Sequence, residues 1–161
     1  MISLVIPVYK KVDEFIANLD HNLKYFKGTE IIVVNDDPSA SIKDRLKKYD
    51  IKLIENIKNL GFASTIDIGI RSAKHNLVFL LNSDVKLLDS SFKTAASKFE
   101  VSQNIFGITF AQKEFDGSTV GKNKVFWKNG LLTHSKADNL DEGETAWAEG
   151  GSSIIRKDIY E

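Results

Sequence analysis

The stretch LVFLLNSDVKLLD, residues 77–89, places a polar tripeptide directly after a run of five apolar residues. A short apolar run bounded by turn formers predicts a strand that is buried on both faces. Asn82, Ser83 and Asp84 would end that strand, since all three are ordinary turn formers. A carboxylate at the carboxyl end of a buried parallel strand also lies where open α/β sheets bind ligands, and it can hold a divalent cation there. A simple turn and a ligand site both fit this segment taken alone.

Strand-like and helix-like segments alternate along most of the chain. Apolar residues spaced three or four apart predict helices between the apolar runs. Pro7 is expected to end the first strand, because proline cannot donate to a sheet ladder. The predicted strands are 2–6, 30–35, 51–57, 77–81, 105–111 and 152–156, and the predicted helices start near residues 13, 41, 62 and 91. Residues 112–145 show no sustained periodicity and are predicted to form a long surface loop. The alternation predicts an α/β domain with a mostly parallel sheet.

Composition narrows the class of protein. The chain has 161 residues, of which 42% are hydrophobic, as expected for one globular domain. Lys plus Arg and Asp plus Glu are equal at 22 each, so no nucleic-acid partner is expected. The absence of cysteine excludes disulfides and thiolate metal sites. Met1 leads straight into a predicted strand rather than a basic leader, and no transmembrane segment is predicted, so we expect a cytoplasmic location.

Polar residues follow three of the predicted strands at the point where each one ends. Tyr9 follows the first strand, Asp36 and Asp37 follow the second, and Asp84 follows the fourth. The carboxyl ends of parallel strands share one edge of a sheet, so these residues are predicted to line one crevice. An acidic crevice needs Mg²⁺ or Mn²⁺ to hold a phosphate, and Asp84 is the predicted ligand. Asn82 is neutral and suits a hydrogen bond to a ribose or to a metal-bound water.

Five segments, in order, cover essentially the whole chain and resemble family 2 glycosyltransferases of the GT-A fold. These segments are ISLVIPVYK (2–10), EIIVVNDDPS (30–39), NLGFASTIDIGI (59–70), LVFLLNSDV (77–85) and WAEGGSSIIRKDIYE (147–161). The resemblance implies a mostly parallel, Rossmann-like sheet flanked by helices. It also implies that residues 1–161 form a single nucleotide-sugar-binding domain that is incomplete at its C-terminus.

The resemblance implies an activity as well. The expected reaction is the inverting, metal-dependent transfer of a sugar from a UDP- or TDP-sugar to a hydroxyl of a saccharide or lipid-linked acceptor. The expected setting is the synthesis of cell-surface polysaccharide or glycolipid, with the acceptor bringing a cytoplasmic enzyme to the inner face of the membrane. Two alternatives stay open: a module or inactive fragment that binds nucleotide sugars without turnover, and a structural domain with a vestigial crevice.

Site residues follow from the same resemblance by position. The family's Asp-x-Asp motif corresponds to Asn82-Ser83-Asp84, which implies binding of the ribose and diphosphate through Mg²⁺ or Mn²⁺ with Asp84 as the metal ligand. The residues assigned to the base pocket or its border are Pro7, Val8, Tyr9, Asp36, Asn59 and Gly61.

The chain departs from the family pattern at three places. Asn82 replaces the first Asp of the family's Asp-x-Asp motif, which leaves the second acid, Asp84, as the main metal ligand. Ile66 stands where the family often has arginine, so a basic contact is missing. The family's catalytic base follows a segment that comes after the final motif, so the base is expected beyond Glu161. Within the chain, Glu149 precedes the pair Gly150–Gly151, which lets backbone approach a ligand closely, and it is the candidate for contact with the sugar or acceptor.

Overall fold

Six strands form one mixed sheet in the computed structural model, which describes residues 1–137, 139–141 and 143–161. Its strands are β1 (Ile2–Val8), β2 (Glu30–Asn35), β3 (Lys52–Glu55), β4 (Leu77–Leu81), β5 (Gly107–Thr109) and, after four shorter or peripheral strands, β10 (Ser152–Arg156). The order across the sheet is β3-β2-β1-β4-β10-β5. The first four are parallel neighbours, and β10 runs antiparallel to both β4 and β5. The predicted mostly parallel α/β sheet is therefore confirmed.

Helices cover both faces of this sheet. They are α1 (Val12–Asn22), which continues as a 3-10 turn over Leu23–Tyr25, then α2 (Lys43–Leu46), α3 (Phe62–Ser72), α4 (Ser91–Ala96), α5 (Lys98–Val101) and α6 (Lys157–Tyr160). One apolar cluster contains Leu4 and Phe79 with side chains of α1 and α4, and the other contains Val5 with side chains of α3. Burial on both faces explains why the central strands are apolar throughout. In the described part of the chain no helix is long and apolar enough to cross a membrane.

The first strand is longer than predicted, because Pro7 does not end it. Val8 accepts a hydrogen bond from the backbone N–H of Asp36, so its carbonyl faces β2. Pro7, one residue earlier, faces the opposite side, toward β4, where pairing with β1 ends at Val5. An N–H at position 7 would point toward β4, beyond the last residue of β1 that pairs with β4, so its absence costs no sheet hydrogen bond. On its other side, Pro7 is paired in register with Val34 of β2.

The prediction of a long loop over residues 112–145 is wrong for much of that stretch. Four strands form two antiparallel pairs: β6 (Gln112–Lys113) with β7 (Thr119–Val120), and β8 (Asn123–Lys128) with β9 (Leu131–Lys136). These hairpins are largely solvent-exposed, so they lack the alternation that marks a half-buried strand. Asn129 and Gly130, with φ of 52° and 77°, form the turn of the longer hairpin. An Asn-Gly pair is a strong signal for a hairpin turn, and here it marks a turn that hydrophobic periodicity does not reveal.

Helix α3 packs in close contact with β1 at Gly69. A Cβ at Gly69, in the middle of α3, would lie 2.3 Å from Cγ1 of Val5. Val5 is fully buried, and a β-branched side chain has little rotamer freedom with which to yield. Gly69 therefore lets the helix approach the strand more closely than any other residue would allow.

We predict that Gly69→Ala lowers the free energy of unfolding by about 1 kcal/mol, because overpacking outweighs the gain in helix propensity, itself about 1 kcal/mol. Urea denaturation of the purified protein measures the change. In a Val5→Ala background the clash is absent, so there the same substitution should be neutral or stabilising. A stabilising effect of Gly69→Ala in the unmodified protein would contradict the close-contact explanation.

Candidate functional site

A cavity of about 410 Å³ lies over the carboxyl ends of β1, β2 and β4 and the start of α3. We call it the edge cavity. Its lining residues are Pro7, Val8, Tyr9, Asp36, Asn59, Gly61, Phe62, Thr65, Asn82, Ser83 and Asp84. All nine residues that the sequence assigned to nucleotide-sugar binding are among them, although they come from four separate segments. A volume of this size is typical of sites for small molecules and cofactors.

Asp84 and Asn82 line the β4 side of the edge cavity. The Asp84 side chain is exposed, whereas the Oδ1 atom of Asn82 is buried and has no hydrogen-bond partner among the described residues. The backbone of Asn82 is held by a 3.0 Å hydrogen bond from its N–H to the carbonyl of Gly151. A Cβ at Gly151 would lie 2.7 Å from Nδ2 of Asn82, so a side chain at this position would displace the Asn82 amide.

This donor set fits a hard divalent cation that is shared with a ligand. Mg²⁺ is commonly bound through one or two carboxylates, with substrate phosphates and water completing its coordination. Asp84 supplies one carboxylate, and the unpartnered oxygen of Asn82 supplies a neutral donor nearby. Within the described ranges, no group of three or more His, Cys, Asp or Glu side chains could hold a metal ion by itself. A cation here would therefore take most of its ligands from water and from a bound phosphate.

The carboxylate of Asp36 is occupied by donors of the chain itself. Oδ1 accepts hydrogen bonds from Nδ2 of Asn56 at 2.8 Å and from the N–H of Leu60 at 2.9 Å, and Oδ2 accepts one from the N–H of Gly61 at 2.9 Å. Gly61 adopts a φ of 78°, a conformation that favours glycine. Burial by itself raises the pKa of Asp36, but these bonds and one with Thr65 outweigh it, so the pKa lies below its ordinary value. Asp36 thus joins the end of β2 to the start of α3.

The structure does not bring Asp37 into the edge cavity, contrary to the prediction of a shared crevice. Its carboxylate accepts hydrogen bonds from the N–H and the hydroxyl of Ser39, in an Asx turn within its own loop. Asp37 lies in the loop beyond the last residue of β2, Asn35, and its carboxylate is engaged within that loop rather than at the cavity.

Two aromatic side chains border the edge cavity, and sequence reasoning identified only one of them. Tyr9 is 50% exposed, as its position after β1 suggested. The spacing of Phe62 from Ile66 and Ile70 matches the buried stripe of a helix, but Phe62 is 52% exposed. A Cβ at Gly150 would lie 3.0 Å from Cε1 of Phe62, so the Gly150–Gly151 pair packs against this side of the cavity. The position of Phe62 directly after Gly61, which was assigned to the site, is the sequence signal that could have identified it. Thr65, the other missed residue, is buried.

Glu149 does not line the edge cavity. Its Oε1 atom accepts hydrogen bonds from Nδ2 of Asn123 and from Nε1 of Trp147, the latter at 3.2 Å. Its backbone N–H donates to Oγ1 of Thr109 at 3.1 Å. Glu149 thus ties β8 and β5 to the segment that approaches the cavity, and its contact with a sugar or acceptor stays a prediction.

We predict that Asp36→Asn lowers the free energy of unfolding at neutral pH by about 2 kcal/mol, since backbone and amide donors lose a charged acceptor. The folded-state pKa of Asp36 lies below its unfolded value of about 3.9. The ionised carboxylate therefore stabilises the fold fully above the unfolded pKa, and this stabilisation is lost as the pH falls through the folded pKa. The difference between wild type and variant should therefore shrink below about pH 4.

Urea denaturation between pH 3 and 7 measures this dependence. Asp37→Asn is the matched control, since it removes a neighbouring, partly buried charge that bonds only within its own turn, and it should change stability much less. A difference between wild type and Asp36→Asn that stays constant with pH would contradict the assigned role of the carboxylate.

Comparisons with known proteins agree with this geometry. The mannosyltransferase PcManGT from Pyrobaculum calidifontis, solved in complex with GDP-Man and Mn²⁺, is similar with a TM-score of 0.54 and 16% identity over 66% of this chain and 34% of that one. S. aureus TarS 1-349 is similar with a TM-score of 0.50 and 20% identity over 63% of this chain and 33% of that one. The chain thus spans about a third of the length of either structure, and at these identities the likeness shows the GT-A fold alone.

A search of curated proteins finds no match. The model of the glycosyl transferase family 2 matches residues 3–161. Because this match covers nearly the whole chain, the chain belongs to glycosyl transferase family 2.

Proposed function

We propose that this chain binds a nucleotide-diphosphate sugar in the edge cavity and takes part in inverting, Mg²⁺- or Mn²⁺-dependent transfer of the sugar to an acceptor hydroxyl. The observation that carries the proposal is the convergence of residues from four segments around one cavity, with Asp84 beside an unpartnered amide oxygen. Family membership supports the reaction class, and the neighbour solved with GDP-Man and Mn²⁺ supports the ligand class.

The aromatic side of the edge cavity suits a nucleobase. Tyr9 and Phe62 expose large ring surfaces there, and a base can stack on such rings whatever its identity. Asn59 lies beside them, and its Oδ1 accepts a 3.1 Å hydrogen bond from the N–H of Gly61, which holds this loop in shape. Asp36 acts on the base pocket by fixing the same loop rather than through a free carboxylate.

The polar side of the edge cavity suits a diphosphate held through a cation. No lysine or arginine lines this cavity among the described residues, so the lining itself offers no positive side chain to a diphosphate. Asp84 and Oδ1 of Asn82 would hold Mg²⁺ or Mn²⁺ there. When bound, such a cation supplies Lewis-acid stabilisation of the leaving diphosphate. Asp84 also borders a second cavity of about 910 Å³ on the α1 side of the loop, which offers space for the acceptor.

The general base is proposed to lie beyond Glu161, as the family pattern implies. Glu149 is held by Asn123 and Trp147 away from the edge cavity. The same observation favours a second candidate function, in which residues 1–161 bind a nucleotide sugar without turning it over. The proposal also includes UDP- or TDP-sugars as donors and saccharide or lipid-linked acceptors. It further includes a role in surface polysaccharide or glycolipid synthesis and a cytoplasmic site of action.

We predict that Asp84→Ala abolishes the metal-dependent part of nucleotide-sugar binding, a loss of about tenfold or more in affinity, equivalent to about 1.4 kcal/mol. The fold should be unaffected, because an exposed loop carboxylate contributes little to the core. Calorimetric titration with UDP- and TDP-sugars, with and without Mn²⁺, measures the effect.

Asp37→Ala is the matched control, since it removes an acid at the same sheet edge that does not line the cavity. An Asp84→Ala affinity equal to that of Asp37→Ala would rule out Asp84 as the cation ligand. Transfer to an added acceptor by the same protein separates the enzyme from the binding module, since the module binds the donor without releasing a nucleoside diphosphate.

A further inference from the structure

Two buried asparagines on α1 bind the backbone of the loop that carries Asp84. Nδ2 of Asn18 donates to the carbonyl of Ser83 at 3.0 Å. Nδ2 of Asn22 donates to the carbonyl of Val85 at 2.9 Å, and Oδ1 of Asn22 accepts from the N–H of Leu87 at 2.8 Å. The partners lie more than 60 positions apart in sequence. The loop is therefore held by α1, a helix that lies far from it in sequence.

These hydrogen bonds flank Asp84 on both sides. The carbonyl before it, of Ser83, and the carbonyl after it, of Val85, are each bound by a different asparagine. The turn is closed by a 3.2 Å hydrogen bond from the N–H of Val85 to the carbonyl of Asn82. The peptide units on either side of Asp84 are thus fixed, while its side chain stays exposed.

The choice of asparagine at these helix positions is informative. Asn18 and Asn22 are four residues apart, so they lie on the same face of α1, and they are only 4% and 3% exposed. Burying an amide is costly unless it is hydrogen-bonded, and leucine would serve better for packing alone. An asparagine side chain both donates and accepts, as Asn22 does across the loop.

We propose that Asn18 and Asn22 are positioning residues that hold the Asp84 loop in the geometry needed for cation and diphosphate binding. The inference rests on the proposed function, because it assigns the two residues to the same cation site. Asp84 is the single carboxylate contributed by this loop at the edge cavity, so a displaced loop has no second acid there to compensate. Mutation of residues that orient a metal ligand typically costs about 10- to 100-fold in metal affinity.

The test compares Asn22→Leu with Leu19→Val. Asn22→Leu removes both hydrogen bonds to the loop at similar volume, whereas Leu19→Val loosens the same helix at a buried position without a hydrogen bond to the loop. Electron paramagnetic resonance of free Mn²⁺, titrated in the presence of UDP, TDP or GDP, gives the affinity. We expect Asn22→Leu to weaken Mn²⁺–nucleotide binding about tenfold or more and Leu19→Val to change it less than about twofold.

A second readout does not depend on the ligand. Hydrogen exchange of the Leu87 amide in the free protein should become faster in Asn22→Leu, because that amide loses its acceptor. It should stay protected in Leu19→Val and in Asn18→Leu, which removes only the bond to Ser83. If Asn22→Leu fails to fold, Asn18→Leu takes its place in the affinity test. It should weaken Mn²⁺–nucleotide binding as well.

The measurements distinguish failure of this inference from failure of the proposed function. Equal Mn²⁺–nucleotide affinities in the asparagine variants and in Leu19→Val would overturn the inference, even if all are destabilised. Absence of Mn²⁺–nucleotide binding in the wild-type protein would overturn the proposed function. In that case Leu87 exchange still decides whether Asn22 holds the loop, and unchanged exchange in Asn22→Leu would overturn the inference too.

Discussion

The candidate site depends on the parallel pairing of β1 with both of its neighbours. Because β1 pairs in parallel with β2 on one side and β4 on the other, the loops after all three strands emerge at one edge of the sheet. That constraint brings residues near positions 8, 36 and 83 around one cavity, although they are far apart in sequence. The antiparallel strand β10 then returns along β4 and delivers Gly151 to the backbone of Asn82. The direction of the strands thus fixes where the edge cavity lies, and the side chains then determine its chemistry.

Side chains give the two important carboxylates at this edge different environments. Asp36 is buried and satisfied by amide and backbone donors, which keep it ionised and make it part of the scaffold. Asp84 is exposed, on a backbone that hydrogen bonds hold on both sides. One acid therefore shapes the pocket, and the other is available to a ligand. This division of roles suits the proposed site, in which a cation is shared between protein and diphosphate.

Much of the fold could be predicted because its strands are short, apolar and separated by helical periodicity. The candidate site was also predictable in outline, since the ends of parallel strands must share an edge. Local patterns failed at particular residues for physical reasons. Pro7 continues a strand because its missing donor faces a side without a partner, and Phe62 is exposed although its spacing matches a buried stripe. The hairpin around Asn129–Gly130 lies in solvent, where alternation carries no signal.

The sequence by itself determined the class of the sheet, the succession of its main segments and most of the residues at its edge. Hydrophobic periodicity is a local property, and the alternation of strands with helices implies parallel pairing. Only the tertiary structure decided what each polar side chain does there. Asp36 and Asp37 are neighbours with the same chemistry, yet one joins β2 to α3 and the other caps its own turn. Asn18 and Asn22 hold a loop more than 60 residues away. Such roles depend on hydrogen-bond partners that only the folded chain brings within reach.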